Sequence, residues 1–164
     1  MVATAAVVAA AAGVAAAAVG DAPRLVINQG IGDARMGESQ IQLALNYGSF
    51  CFRGCPGKVT IGELGMTTIA YRVPGGVLRI ALFKNRIAVL ETTSPRYRMP
   101  GNVGIGSKLA AGKRWNGFRL QQCANGNGVW VRTGRAVTTS LFENRGVVKD
   151  VELRLRKLPP RRGC

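Results

Sequence analysis

The sequence predicts an α+β fold arranged as a tandem repeat, in which a helix start precedes antiparallel strands and the whole pattern occurs twice in 164 residues. Three observations point that way. Two pentapeptides, Leu-Phe-Lys-Asn-Arg at 82–86 and Leu-Phe-Glu-Asn-Arg at 141–145, each read as strand, tight turn, strand, with Asn85 and Asn144 at the reversal. Upstream of each lies a Gly followed closely by a Ser able to cap a helix, Gly37 with Ser39 and Gly106 with Ser107. Between and after these points apolar and polar residues alternate with the period of half-buried strands. The units are assigned to 23–95 and 96–158, followed by a basic tail at 159–164.

Residues 1–22 are of another kind. An almost pure Ala/Val/Gly run ends at Asp21, Ala22 and Pro23, with small-residue cleavage positions from Ala18 to Ala22, which reads as a signal peptide. No Lys or Arg precedes the run, so an uncleaved anchor and a plain Ala-rich tail stay open beside it. The first helix is expected from Ser39: Gln42 three positions on completes a capping-box pattern, and Ile41, Ala44 and Leu45 share one face. A second is expected after Ser107, carrying Leu109 and Ala110.

Cys51, Cys55, Cys123 and Cys164 suit an exported chain with two disulfides. Three pairings are open. Cys51 with Cys55 and Cys123 with Cys164 is preferred, since the second bond ties the chain end to the body. A zinc site needs close-spaced ligand pairs on both sides, which Cys123 and Cys164 are not. Strands are expected at 67–73, 77–83, 86–93, 118–122, 129–133, 137–142 and 147–155. The last is the clearest, with Val147, Val151, Leu153 and Leu155 on one face and Asp150, Glu152, Arg154 and Arg156 on a wet one.

The segment 27–48, Ile-Asn-Gln-Gly-Ile-Gly-Asp-Ala-Arg-Met-Gly-Glu-Ser-Gln-Ile-Gln-Leu-Ala-Leu-Asn-Tyr-Gly, resembles the opening of the domain shared by β-lactamase inhibitor protein and the SmpA/OmlA small envelope lipoproteins. Gly37, Ser39, Gln42, Leu45 and Gly48 match its pattern, with Glu38 where the family carries Met. The resemblance spans about 25–157. It implies a tandem repeat of a short helical pair followed by a three- to four-stranded antiparallel sheet, the two sheets forming a concave saddle.

Chemistry is sparse. The chain has 23 Lys plus Arg, 8 Asp plus Glu, no His, and a net charge of +15. Removing 1–22 deletes one acid, leaving +16 (15 + 1). Without His, the commonest general base and metal ligand are both missing. Gly101 to Lys108 looks like a phosphate loop, but Ser107 precedes Lys108 and no buried strand leads in. The acids read as scattered surface partners of the basic excess. No enzyme, cofactor or metal is therefore expected. A positive field of this size favours anionic partners without choosing among them. Candidate contacts to such partners are Arg114, Arg119, Arg132, Arg154 and Arg156, with Tyr97, Trp115 and Trp130 as candidate aromatic contacts.

The expected function is a secreted or cell-envelope binding module presenting a sheet surface to a protein or an anionic envelope polymer, with no stable membrane span after processing. Two alternatives stand beside it. One is a β-lactamase-inhibitor-like protein, although no inhibitor contact residue maps onto this chain. The other is a cationic nucleic-acid binder, which conflicts with export.

Overall fold

A computed structural model describes residues 24–51, 53–110, 115, 117–123 and 126–161. The signal-peptide segment, Arg114 and Cys164 lie outside them. The architecture is mostly β. A small antiparallel sheet of β1 (Leu25–Val26), β2 (Gly30–Ile31) and β3 (Ala34–Arg35) opens the chain and leads into α1 (Gln40–Tyr47). Then come β4 (Phe50–Cys51), β5 (Gly57–Ile61), β6 (Thr67–Val73), β7 (Gly76–Phe83) and β8 (Arg86–Thr92). A two-stranded ribbon, β9 (Arg98–Met99) with β10 (Val103–Gly104), precedes β11 (Arg119–Gln122), β12 (Gly128–Thr133), β13 (Val137–Asn144) and β14 (Val147–Leu155). The long strands form one nine-stranded sheet in the order β11-β12-β13-β14-β8-β7-β6-β5-β4, mixed because β4 joins β5 in parallel.

Local chemistry explains the elements. Ser39 holds an extended conformation and its hydroxyl accepts the Gln42 N–H, capping α1; Gly48, at φ 82°, ends it and donates its N–H to the Ala44 carbonyl. The reciprocal half of the capping box is not made, since the Gln42 amide donates instead to Asn46. The two long hairpins turn on paired left-handed residues, Lys84 and Asn85 (φ 51° and 59°) and Arg145 and Gly146 (φ 52° and 74°). That geometry matches the twist of the flanking strands.

The expected unit, a helical pair before each of two sheets, does not occur among the described residues. The described residues contain one α-helix, the strands join across the midline through β8 and β14, and the class is mostly β, not α+β. Over 107–110 no helix is formed: Lys108 bridges to Val147, and the Ser107 hydroxyl accepts the Gly104 N–H instead of an N–H further along the chain.

What relates the two halves is strand register. Lys58 pairs with Ala70 as Arg119 pairs with Val131, Ile69 with Ile80 as Trp130 with Leu141, and Ala81 with Val89 as Phe142 with Asp150, a constant offset (119 − 58 = 61; 130 − 69 = 61; 142 − 81 = 61). Even the β-bulge recurs, between Ala81 and Leu82 and between Phe142 and Glu143. By that register Leu82 matches Glu143, not Leu141. The look-alike pentapeptides are two residues out of step, and Asn144 ends β13, paired with Val147, where Asn85 forms the turn.

One face of the sheet carries the core. Ile69, Leu78, Ile80, Ile87, Leu90, Leu141, Val148, Val151 and Leu153 are fully covered there, by Leu25, Ile31 and Ala34 of the small sheet, Leu43 of α1 and Phe118. Thr139, buried among them, is satisfied by Asn28: its hydroxyl donates to the Asn28 side-chain oxygen at 2.7 Å and accepts the Asn28 N–H at 2.8 Å. The helix is rotated from expectation, since Leu43 is buried while Ile41 and Leu45 are each 74% exposed.

Candidate functional site

The second face of the sheet holds the unusual chemistry. Pairing sets one row of side chains across it, from Arg119 and Val131 through Ser140, Glu152, Glu91 and Arg79 to Ala70 and Lys58. At the midline Glu91 and Glu152 stand directly opposite each other. Like charges in that position repel. The repulsion is met by guanidinium groups: Arg79 contacts Glu91 at 2.6 Å, and Arg154 grips Glu152 with two hydrogen bonds of 2.8 and 3.0 Å. Such a two-pronged pair suits the planar fork of arginine.

Asp150 adds a third carboxylate. The chain past Leu155 turns at Leu158, whose N–H bonds back to the Leu155 carbonyl, and folds over this face. Arg161 then reaches Asp150 at 2.5 Å and Glu91 at 4.0 Å, with its guanidinium 4.9 Å from the centre of the Phe142 ring. The Arg154 guanidinium also donates to the Pro159 carbonyl at 3.2 Å, pinning the returning chain. Burial, followed by the charge of Glu91, pushes the Asp150 carboxyl up from 3.8 to about 7. Among the described residues its Oδ1 is buried without a hydrogen-bond partner, while Oδ2 carries the Arg161 contact.

Two clefts flank this cluster. One, of about 310 Å³, is bounded by Thr133, Thr138, Ser140, Phe142, Arg156 and Leu158; the other, of about 210 Å³, by Gly62, Met66, Thr68, Ala81 and Val89. Glu152, Arg154 and Arg161 line both. The face is thus a sequence of hydroxyl-rich and apolar walls divided by an internally paired charge cluster. It is not the wet face expected of β14, because Asp150, Glu152 and Arg154 are all buried.

The sequence-derived contacts fall in different places. Arg154 is buried and bound to Glu152; Arg156 is exposed, lines the larger cleft and donates to the Arg135 carbonyl at 3.4 Å. Arg119 lies exposed on the edge strand at the end of the same row. Arg132 pairs with Thr139, whose row faces the core, so it belongs to the opposite side. The aromatic candidates are packed within the fold. Trp130 and Tyr97 are buried, the Trp130 indole N–H donating to Glu143 at 2.8 Å, and Trp115 stacks on Phe118 at 5.1 Å. The Cys51–Cys55 disulfide is formed; Cys123 is also disulfide-bonded, and its expected partner Cys164 lies outside the described residues. Sequence reasoning missed Arg79, Glu91 and Arg161, and took the acids as scattered when three gather at the midline. Only the alternation around Asp150 and Glu152 signalled them.

No family model matches this chain, and no curated protein does. Among solved structures its fold is similar to that of an extracellular protein containing a SCP domain from Bacillus anthracis strain Ames, with a TM-score of 0.54 and 9% identity over 74% of this chain and 44% of that one. A cysteine-rich secretory protein from Staphylococcus aureus Mu50 matches over the same shares with a TM-score of 0.47 and 10% identity. The chain therefore spans less than half the length of these proteins. At such identity the first likeness speaks to fold alone. Among the described residues no helix is long and apolar enough to cross a membrane.

Proposed function

We propose that this protein is a secreted or envelope-associated, non-enzymatic binding module that holds a segment of a partner protein on the second face of its sheet. The observation that carries this reading is the pair of clefts meeting at Glu152, Arg154 and Arg161. Their walls combine hydroxyls of Thr68, Thr133, Thr138 and Ser140 with apolar Met66, Val89, Phe142 and Leu158. Mixed walls of that kind suit an amphipathic segment. The arginines between them are matched by carboxylates, which favours a protein segment over an anionic polymer here. The chain has no histidine, Glu91 and Glu152 sit on guanidinium groups, and Asp150, pushed up to about 7 as a general acid or base would be, lines neither cleft. Export is supported by the disulfide at Cys51–Cys55, the Ala/Val-rich 1–22 and the fold's likeness to an extracellular protein.

The test places a photo-crosslinker at Ser140, Thr68 and, as control, Asn46 of α1. Capture of one defined protein from the envelope fraction at the two cleft positions, surviving high salt, is the expected result. Cytosolic retention of the chain, capture equal at Asn46, or loss of capture in salt as a polyanion would show, overturns the reading.

A further inference from the structure

We propose that the outward face of α1 is a docking surface for an anionic lipid membrane. Ile41 and Leu45 stand one helical turn apart, each 74% exposed, and with Ala44 and Phe50 they border a shallow depression of about 500 Å³ that reaches Asn85. A single exposed aliphatic side chain is ordinary; two of them one turn apart, bordering a depression floored in part by half-buried Phe50, are less so.

The surroundings choose the occupant. The Gln40 N–H donates to the Asn85 carbonyl at 3.0 Å, and Ser39 bridges to Arg86, so the β7–β8 turn is fixed beside the helix start. That turn presents Lys84 and Arg86, both exposed, with the Lys84 ammonium 5.6 Å from the centre of the Phe83 ring and the Arg86 guanidinium donating to the Gly37 carbonyl at 3.0 Å; exposed Arg53 follows Phe50 in the disulfide-closed loop. Glu38, the acid beside the helix start, has its carboxylate on the Arg35 N–H at 2.9 Å; Asp33 lies toward the far end, where its carbonyl accepts from Asn46. An apolar stripe flanked by cations, on a chain of net charge +15, complements the apolar boundary and negative headgroups of an anionic bilayer. A protein partner is less well served: eight residues of helix span about 12 Å, and one exposed face of so short a helix is too little to supply the roughly 800 Å² per side of a stable protein interface.

The experiment is sedimentation of the full chain with vesicles of phosphatidylglycerol and phosphatidylcholine, against phosphatidylcholine alone. Binding to the anionic vesicles only is expected, falling about tenfold in the double variant Ile41→Ser, Leu45→Ser, whose side chains point away from the core. A Leu45→Trp variant separates insertion from adsorption by bulk charge: the indole emission it gains over the unsubstituted protein shifts to the blue and is quenched by bromine-labelled acyl chains. Absence of binding, equal binding to neutral vesicles, binding unchanged in the double variant, or an added indole emission that vesicles leave unaltered overturns the proposal. Because the cleft face is not involved, none of these outcomes touches the partner-binding reading.

Discussion

Asp150 shows how one buried group writes itself into the stability of the protein. Its carboxyl titrates at about 7 in the folded chain, raised from 3.8 by burial and then by Glu91. A raised folded value means the native state holds its proton more tightly than the unfolded state. The stability this contributes is complete below about pH 4 and is lost as pH rises through about 7. Asp150→Asn removes the titration while keeping the shape. The stability of the original protein relative to that variant is expected to fall by on the order of 4 kcal/mol between pH 4 and pH 8, read by denaturant melts at both. Parallel curves would contradict it. The hairpin residues make a second case. Gly146 carries φ 74° at the turn, so Gly146→Ala is expected to cost about 1 kcal/mol. Asn144, a strand residue paired with Val147, tolerates Ala within about 0.5 kcal/mol, and a larger loss at Asn144 than at Gly146 would revoke the turn assignment.

Among the elements, those legible in the sequence were mostly the longer strands rich in apolar residues, with the four-residue β11 as an exception and the five-residue β5 missed. The seven expected strands match β6, β7, β8, β11, β12, β13 and β14 to within two residues; all but β11, which contributes only half-buried Leu120, turn an apolar row to the core. The strands of two residues, β1 to β4, β9 and β10, were invisible, being too short to show a period. The start of α1 was legible from Ser39, which acts locally. Its orientation was not, since that is set by where Leu43 meets the core, a tertiary choice that left Ile41 and Leu45 outside. The charge cluster was hidden for the same reason: Glu91 and Glu152 are distant in sequence and meet only through the pairing of β8 with β14. The Cys51–Cys55 bond closes a ring of sequence separation 4 next to edge strand β4. Replacing both by Ser is expected to cost about 2 kcal/mol or less, with amide exchange raised at β4 and β5 and unchanged at β8. Loss of protection across the whole sheet would instead assign the bond a global role.

At the scale of the molecule, β8 and β14 are the seam on which everything turns. Each is interior to the nine-stranded sheet, and Leu90 and Leu153, paired across the seam, are completely buried. Splitting the chain there would expose two hydrophobic edges, and the larger buried cluster draws its residues from both halves. The Asn28–Thr139 hydrogen bonds, 111 positions apart in sequence, cross from the first small sheet to the second half of the large one. A fold joined in these ways has no boundary at which half can melt alone, although register divides it into two matched sets of strands. Leu153→Ala should therefore cost about 2–5 kcal/mol and lower the protection of slow-exchanging amides in β7 by as much as in β13. Hydrogen exchange followed by mass spectrometry reads both halves in one experiment. If β6, β7 and β8 keep their protection while β11 to β14 lose theirs, the seam is an interface between two independent units and the single cooperative sheet is wrong.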